Sequence, residues 1–236
     1  MAESEFVLIT GAARRVGRAI ALSLAQGGFD IAIHYGHSEK EARSVQKEIE
    51  QLGRKAIILQ ADLADSEAVS AVVPSVLEKG NLVALINSAA IFEQGDHTAS
   101  LTEWQRHLAI NVTAPFILSQ SFAVHCVEGK VVNILDWKTA RSDAAHLSYA
   151  VSKEALAALT RNLAVSLAPH FQVNGLALGA ILPPSDGRAA AGIIEAVPAG
   201  RWADLAEVGQ AVRFLLEGPS YITGEVLALD GGRHLV

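Results

Sequence analysis

Short runs of apolar residues alternate along this chain with longer segments in which apolar positions recur every three or four residues. The short runs predict seven β-strands, at Glu5 to Thr10, Asp30 to Tyr35, Ala56 to Gln60, Val83 to Asn87, Lys130 to Leu135, Gln172 to Ala177 and Glu225 to Asp230. The longer segments predict six helices, at Arg15 to Gly27, Glu39 to Gly53, Ser66 to Lys79, Leu101 to Val127, Ser148 to Pro169 and Leu205 to Glu217. Because parallel strands need a crossover element between them, this alternation predicts one α/β domain over residues 1–236, a doubly wound parallel sheet with helices on both faces.

Composition narrows the class of protein. Half of the 236 residues are hydrophobic, but no apolar run approaches the ~20 residues of a bilayer span, so we expect a soluble chain with no membrane partner. The net charge of -6 comes without a basic block, which argues against a nucleic-acid partner. A single cysteine, Cys126, and an N-terminus without a signal-peptide pattern favour the cytoplasm. We therefore expect a small-molecule substrate and a cofactor, and no metal.

The first predicted strand ends in a glycine turn, Thr10-Gly11-Ala12-Ala13-Arg14-Arg15-Val16-Gly17. Gly11 suits a tight exit from the strand, and Gly17 suits close packing of the next helix on the sheet. A dinucleotide pyrophosphate would then lie at the helix N-terminus, beside Val16, where free N–H groups attract anions. Arg15 replaces the usual middle glycine, which adds a cation near the phosphates.

The second predicted strand ends in His34-Tyr35-Gly36-His37-Ser38, with no acid before Glu39. An NAD site would have a carboxylate here for the ribose hydroxyls. With Arg15 nearby and hydroxyl and imidazole donors at His34, His37 and Ser38, the segment suits a ribose 2'-phosphate instead. The sequence therefore favours NADP(H), with His34, Tyr35 and Ser38 among its expected contacts. His37 fits an exposed loop residue equally well.

Several motifs along almost the whole chain resemble those of the short-chain dehydrogenase/reductase family. They are Thr10-Gly11 with Gly17, Asp62-Leu63, Asn87-Ser88-Ala89, Asn111, Tyr149 with Lys153, and Asp230-Gly231-Gly232. The resemblance implies a Rossmann-type fold and a homotetramer or dimer. It implies that Asp62 and Leu63 lie by the adenine, that Asn87, Ser88 and Ala89 line the cofactor cleft, and that Asn111 supports a water beside the lysine. Ser88 and Leu178 depart from the usual asparagine and proline, but they leave backbone contacts at Gly179 and Ile181 open.

Tyr149 and Lys153 carry the proposed acid chemistry. Four residues apart on a helix, their side chains share a face. An ammonium group beside a phenol favours the phenolate, so we expect Lys153 to lower the pKa of Tyr149 and to hold the nicotinamide ribose. An ordinary polar pair on a helix is the structural alternative.

Asp136 stands where most members of the family carry a serine that donates to a carbonyl substrate. A carboxylate instead accepts hydrogen bonds from an N–H-rich ring, or passes a proton to a ring nitrogen. A strand-end aspartate that faces solvent or caps the next turn is the alternative. The exchange is similar to that in pteridine reductases and bacterial dihydromonapterin or dihydrofolate reductases, a likeness that extends to Arg15, His34-Tyr35 and Phe92. It implies that Phe92 stacks a pterin against the nicotinamide, with Arg15 reaching both cofactor and pterin.

The sequence therefore predicts an NADPH-dependent reductase of a pterin-type substrate, with Tyr149, Lys153, Asn111 and Asp136 as catalytic residues. Arg15, Phe92, Asp136, His146, Tyr149 and Leu182 form the expected substrate site, and residues 182–202 a short lid with a helical Gly187 to Gly192 segment. A carbonyl or 3-oxoacyl reductase is the alternative enzyme, and a catalytically silent NADP-binding sensor is the alternative outside enzymes. No role follows for Trp104, while Trp137 either borders the pocket or packs.

Overall fold

The fold is described by a computed structural model that covers residues 4–182 and 192–236. Seven parallel strands form one sheet in the order β3-β2-β1-β4-β5-β6-β7, which confirms the predicted doubly wound architecture. The strands are β1 Glu5–Ile9, β2 Asp30–Tyr35, β3 Ala56–Gln60, β4 Asn81–Asn87, β5 Gly129–Asp136, β6 Phe171–Leu178 and β7 Val226–Leu229. Strand β4 begins two residues before the predicted start, because Asn81 pairs with Glu5 of β1 and its N–H donates to the Ser4 carbonyl oxygen.

In the described residues, seven α-helices connect and flank the strands. They are α1 Arg15–Gln26, α2 Glu39–Gln51, α3 Ser66–Leu77, α4 Leu101–Leu108, α5 Ala114–His125, α6 Leu147–Ser166 and α7 Leu205–Glu217. The prediction of one regular helix over Leu101 to Val127 is wrong, because a π turn at Ala109–Thr113 separates α4 from α5. Pro115 has no N–H for the carbonyl of Asn111, and the helix widens at that point.

Two apolar layers cover the two faces of the sheet. The side chains of β1 point alternately to the two faces and so contribute to both layers. Val7 and Ile9 pack with α1, α2 and α7 on one face, while Phe6 and Leu8 pack with α3 and α5 on the other. The 25 helical residues Leu101–His125 are long enough to cross a membrane, and an 18-residue window within them has a mean hydropathy of 1.2. Leu118 and Phe122 of this stretch are nevertheless fully buried in the second layer, as befits a core helix.

A buried polar chain links the centre of the sheet to α6. The side-chain amide of Asn87 donates to the Asn133 carbonyl oxygen at 2.8 Å, and the Asn133 amide donates to Thr160 Oγ1 at 2.8 Å. Asn87 and Asn133 are register partners on β4 and β5, so their side chains meet directly across the strands. Because all three side chains are buried, loss of the middle one would leave two polar groups without water to replace it.

We expect Asn133→Ala to lower the free energy of unfolding by about 2 to 4 kcal/mol, because buried groups on Asn87 and Thr160 lose their partner. Asn162→Ala is the matched control, since Asn162 is exposed on the same α6 helix and should change stability by less than about 0.5 kcal/mol. Urea unfolding followed by circular dichroism measures both. Equal stability of the two variants would contradict a structural role for the polar chain.

Candidate active site

The turn between β1 and α1 has the shape that a dinucleotide phosphate needs. Gly11 has a φ of 67°, and a Cβ on Gly17 would overlap the Gly11 carbonyl oxygen, so the backbone approaches itself too closely for a side chain. The N-cap residue of α1, Arg14, makes no side-chain cap, and the first turn of the helix holds no acid. The helix N-terminus therefore suits a bound anion, and Val16 lies in its first turn.

Arg15 occupies an unusual backbone conformation at this turn. Its φ of 50° makes it the one positive-φ residue other than glycine in the described part of the chain. An L-residue held there carries strain, which proteins retain mainly at functional sites. The Arg15 side chain lines the same cavity as Asp136 and Tyr149, which brings together three residues that the sequence predicted for the substrate site.

The end of β2 corrects one expected cofactor contact. His34 is buried, its Nδ1 accepts from the Gly11 N–H at 3.3 Å, and its Nε2 lies 3.1 Å from the Ala61 carbonyl oxygen. Burial lowers the pKa of His34 to about 4, outweighing the opposing hydrogen bond to Ala61, so the ring is neutral near pH 7. The expectation that His34 donates to a 2'-phosphate is therefore wrong. Its ring holds the glycine turn in place instead.

Residues 35–38, at the end of β2, include no carboxylate. Tyr35 lies in the core with its side chain buried, so only its backbone faces the site. Ser38 precedes α2 without capping it, and the first acid, Glu39, is bonded to Arg43 at 2.7 Å. Arg14 is paired with Glu41 across the same edge. Nothing in residues 30–38 after Asp30 reproduces the acid of an NAD site.

The ends of β3 and β4 continue the same edge. Asp62 is exposed and its Oδ1 accepts from the Ala64 N–H at 2.9 Å, while Leu63 is buried in the core. Thr10 Oγ1 accepts from the N–H groups of both Ser88 and Ala89 at 3.0 Å, which fixes the segment after Asn87 beside the glycine turn. Gly11 and Ala89 lie so close that a Cβ on Gly11 would approach Ala89 Cα to 3.0 Å.

Asn111 lies in the π turn and is fully buried. Its Oδ1 accepts from the Ile91 N–H at 3.0 Å, and its Nδ2 donates to the Ile91 carbonyl oxygen at 3.2 Å and to Ser152 Oγ at 2.9 Å. Ser152 in turn donates to the Tyr149 carbonyl oxygen at 2.7 Å. Asn111 therefore ties the segment before Phe92 to the first turns of α6, where Tyr149 and Lys153 lie.

A direct hydrogen bond joins Tyr149 to Asp136, with the hydroxyl donating to Oδ2 at 2.9 Å. Burial, the negative charge of Asp136 and this hydrogen bond raise the pKa of Tyr149 well above 10, with a further contribution from Asp143. The expectation that Lys153 lowers this pKa is therefore wrong. The Lys153 ammonium donates to the Ile134 carbonyl oxygen at 2.7 Å and lies 5.9 Å from the Tyr149 ring centre. Burial and the nearby carboxylate act in the same direction, and both raise the pKa of Tyr149.

Asp136 is both a capping residue and a member of the site. Its Oδ1 accepts from the Lys138 N–H at 2.9 Å and caps the 3-10 turn Trp137–Ala140, as the structural alternative expected. Its Oδ2 accepts from Tyr149, and it lines the cavity. A carboxylate has about four acceptor positions, so two remain for a ligand.

Phe92 is 58% exposed and stands at the cavity wall between two other rings. It stacks on His146 with ring centres 4.4 Å apart, and meets Tyr149 edge to face at 4.7 Å. His146 Nδ1 lies 3.1 Å from Asp143 Oδ2, and Lys138 donates to the same oxygen at 2.6 Å. The phenyl ring is thus a supported flat surface beside the tyrosine hydroxyl.

The cavity has a volume of about 920 Å³ and collects most of the expected substrate residues. Its walls hold Arg15, Phe92, Asp136, His146, Tyr149 and Leu182, together with Gly179. Ile181 is buried in the core beside it. Trp137 borders the cavity, whereas Trp104 lies on α4 and is not part of its wall. Ile193, Val197 and Trp202 line it from the expected lid, but Gly187 to Gly192 lies, except for Gly192, outside the described residues.

Sequence reasoning did not assign several residues that hold this site together. Thr10, Ser152 and Asn133 make hydrogen bonds between segments that are distant in the chain. Asp143 contacts His146 and Lys138, and Arg233 lines the cavity from the turn at the C-terminal end. Each is an ordinary polar residue in the sequence. Only Thr10 carried a signal, since it directly precedes the glycine turn.

The arrangement can bind a flat ring and move a proton. Phe92 offers a stacking face, Asp136 offers acceptors, and Tyr149 holds an O–H in a desolvated position beside a buried lysine. The turn between β1 and α1, whose shape suits a dinucleotide phosphate, contributes Arg15 to the wall of the same cavity. These are the elements of a reductase or dehydrogenase site.

Comparison with known proteins also indicates a reductase or dehydrogenase. A family model described as enoyl-(acyl carrier protein) reductase matches residues 11–234. The 3-oxoacyl-[acyl-carrier-protein] reductase FabG of Aggregatibacter actinomycetemcomitans is 32% identical over 97% of this chain and 99% of its own length. The FolM alternative dihydrofolate reductase 1 of Brucella canis, solved with NADP, has a TM-score of 0.91 and 35% identity, covering 98% of this chain and 94% of that one.

A blue fluorescent protein from a metagenomic library, solved with NADPH, also has a TM-score of 0.91, with 32% identity over 97% of each chain. Together these proteins span different activities on one scaffold, and the match covers almost all of this chain. This chain is therefore an oxidoreductase and belongs to the short-chain dehydrogenase/reductase family of NAD(P)H-dependent enzymes.

Proposed function

We propose that this enzyme is an NADPH-dependent reductase of a pterin-type substrate, a dihydropterin, dihydromonapterin or dihydrofolate. The observation that carries the proposal is the hydrogen bond from Tyr149 to Asp136 at the wall of the cavity. A carboxylate at this place repels a carbonyl oxygen but accepts from the N–H groups of an amino-pyrimidine ring. The 35% identity to the FolM alternative dihydrofolate reductase of Brucella canis supports it.

The cofactor would be held by the carboxyl edge of the sheet. Gly11, Arg15, Val16 and Gly17 would hold the pyrophosphate, Ser38 and the backbone of Tyr35 the adenosine ribose, and Asp62 with Leu63 the adenine. Asn87, Ser88, Ala89, Gly179 and Ile181 would line the nicotinamide side, with Tyr149 and Lys153 at its ribose. Arg15 and the acid-free end of β2 favour a 2'-phosphate, and relatives solved with NADP and NADPH support that choice.

When bound, NADPH supplies a hydride to a ring carbon of a C=N bond and becomes NADP+. The electron pair of that bond moves to the ring nitrogen, which becomes strongly basic and takes a proton. Tyr149 can supply that proton although its pKa is high, because the developing base is stronger than a phenolate. Asp136 orients the ring through its N–H groups, or relays a proton from solvent to the Tyr149 phenolate along their hydrogen bond.

The runner-up is a carbonyl or 3-oxoacyl reductase, which the 32% identity to the FabG protein favours. Such a reaction needs a donor at position 136 for the substrate oxygen, whereas both Asp136 oxygens act as acceptors. A silent NADP-binding sensor is the other alternative. The intact Asn111, Tyr149 and Lys153 arrangement favours catalysis over it.

We further propose that the enzyme acts as a homotetramer in the cytoplasm on a small-molecule substrate, without nucleic-acid or membrane partners. Apolar side chains remain exposed on α5, at Phe116 and Val124, and on α6, at Val165. Helices with such faces suit pairing with a second copy of the chain. Cys126 is a free thiol, as is usual in a reducing compartment.

The assay that tests the proposed function offers 7,8-dihydrobiopterin, 7,8-dihydrofolate and an acetoacetyl thioester side by side. NADPH oxidation at 340 nm should accompany the two pterin-type substrates and be at least about tenfold faster in kcat/KM than with the thioester. Turnover of the thioester alone would support the oxoacyl reductase. NADPH binding without turnover of any substrate would favour the sensor.

Asp136→Asn should reduce kcat/KM for a dihydropterin by about 100-fold, because the amide lacks the charge and half of the acceptor positions of the carboxylate. The same change should lower the pKa of Tyr149, which a phenolate absorbance titration measures. Asp65→Asn is the matched control, since this residue caps α3 outside the cavity and asparagine caps equally well. An unaltered rate in Asp136→Asn would contradict a role in ring binding.

Activity should depend on the charge of Lys153, whose pKa burial lowers to about 8 although Asp136 opposes the shift. The lysine is charged below that pH and loses its charge as pH rises through it. We therefore expect kcat/KM for NADPH to fall above about pH 8, approaching a slope of about tenfold per pH unit. Tyr149 keeps its proton throughout this range.

Lys153→Arg distinguishes this assignment, because arginine stays charged at every accessible pH. The variant should lose rate overall, yet its alkaline limb should move to higher pH. An alkaline limb that stays near pH 8 in Lys153→Arg would assign the titration to another group.

A further inference from the structure

We propose that Arg233, with Arg141, forms an anion-binding rim on Trp137 that takes a negatively charged tail of the substrate. The inference rests on the proposed function, since it concerns the substituent of the same pterin-type ring. It makes Arg233 a specificity-determining residue, which selects anionic over neutral tails.

A tight turn at the end of β7 brings Arg233 to the cavity. Gly231 and Gly232 have φ values of 63° and 85°, a conformation that favours glycine. Asp230 is buried and accepts from the N–H of Gly232 at 3.0 Å and from the N–H of His234 at 2.7 Å. The chain thereby folds back, so that Arg233 lines the same cavity as Asp136 and Tyr149.

Close packing holds this turn against the segment 193–199, which also lines the cavity at Ile193 and Val197. A Cβ on Gly231 would lie 2.7 Å from Val197 Cγ1 and 3.0 Å from Ala199 Cβ. Arg233 Nη1 donates to the Ile193 carbonyl oxygen at 2.9 Å, which uses one of its five N–H donors. The guanidinium is thus positioned by its surroundings before any ligand arrives.

Three cationic side chains surround the indole of Trp137. The Arg233 guanidinium lies 4.9 Å from the ring centre, that of Arg141 5.7 Å, and the Lys138 ammonium 6.0 Å. Arg141 also donates to the His234 carbonyl oxygen at 3.4 Å, which links it to the turn that carries Arg233. Trp137 follows Asp136 directly, so these charges stand next to the ring-binding carboxylate.

The charge around this rim is only partly balanced. Lys138 is paired with Asp143 at 2.6 Å, and the cavity acid Glu93 is paired with Arg106 at 2.6 Å. Within residues 4–182 and 192–236, no carboxylate lies within 4.0 Å of the guanidinium groups of Arg233 or Arg141. Two like charges at one indole, with no counter-charge among the described residues, are stabilised when an anion binds between them.

The chemistry of the rim defines its ligand. A guanidinium stacked on an indole keeps its edge N–H groups for in-plane acceptors, and these match a carboxylate or a phosphate in bidentate geometry. The ligand is therefore an anionic tail, either the glutamate carboxylates of a dihydrofolate or a phosphorylated side chain of a dihydropterin.

The experiment compares wild type with Arg233→Met on two matched pairs of substrates. One pair is 7,8-dihydrofolate and its glutamate dimethyl ester, and the other is a dihydropterin with a phosphorylated side chain and its unphosphorylated form. In wild type, kcat/KM should favour the charged member of one pair by about tenfold or more. Arg233→Met should reduce that preference to about twofold or less, mainly through KM.

The ratio within a pair is the readout because damage to the fold would slow both members equally. Arg161→Met, on the exposed side of α6, is the matched control and should keep the wild-type ratio. Loss of preference in the carboxylate pair identifies a folate tail, and loss in the phosphate pair identifies a phosphorylated one. Either outcome supports the rim.

Turnover of the substrates by both proteins with the same ratio would overturn the anion-binding rim while leaving the proposed pterin reduction intact. Absence of turnover of every pterin by wild type would instead overturn the proposed function, and the rim with it. Recovery of at least half of the preference by Arg233→Lys would support charge as the basis of selection.

Discussion

All seven strands of the sheet run in the same direction, and this constraint places the functional segments of the chain at one edge. The glycine turn follows β1, the Asn87 segment follows β4, Asp136 ends β5, and Gly179 follows β6. Thr10 accepts a hydrogen bond from the Ser88 N–H and His34 accepts one from the Gly11 N–H, and these bonds tie the strand ends to one another. A dinucleotide site arises there because strand ends, uncapped helix α1 and close glycine contacts all face the same side.

At that edge, burial and one carboxylate together determine the protonation of Tyr149. Burial alone already favours the neutral phenol, and Asp136 adds a negative charge in direct hydrogen-bond contact. The phenol therefore keeps its proton more strongly, and Lys153 is held by the Ile134 carbonyl oxygen. The pair suits a substrate whose reacting nitrogen becomes a strong base and whose ring carries N–H donors.

The turn after β7 carries Arg233, which we propose to bind the substituent of the substrate ring. Asp230 and two glycines in the left-handed region are needed to send the chain back over the cavity, and Trp137 provides a surface on which arginine side chains can lie. In the proposed function, ring recognition and tail recognition would use the neighbouring residues Asp136 and Trp137. The two contacts have opposite charge, which would orient a substrate that carries N–H groups at one end and an anion at the other.

The sequence by itself determined the alternation of strands and helices, the glycine turn, the absence of an acid after β2 and the presence of Asp136, Tyr149 and Lys153. These follow from periodicity and from local motifs, which are properties of short stretches. Tertiary structure decided that His34 is an uncharged structural residue and that the pKa of Tyr149 is raised. It also decided that a π turn contains Asn111 and that Arg233 lines the cavity. Each of these depends on burial or on contact between residues far apart in the chain, and neither quantity is encoded in any single segment.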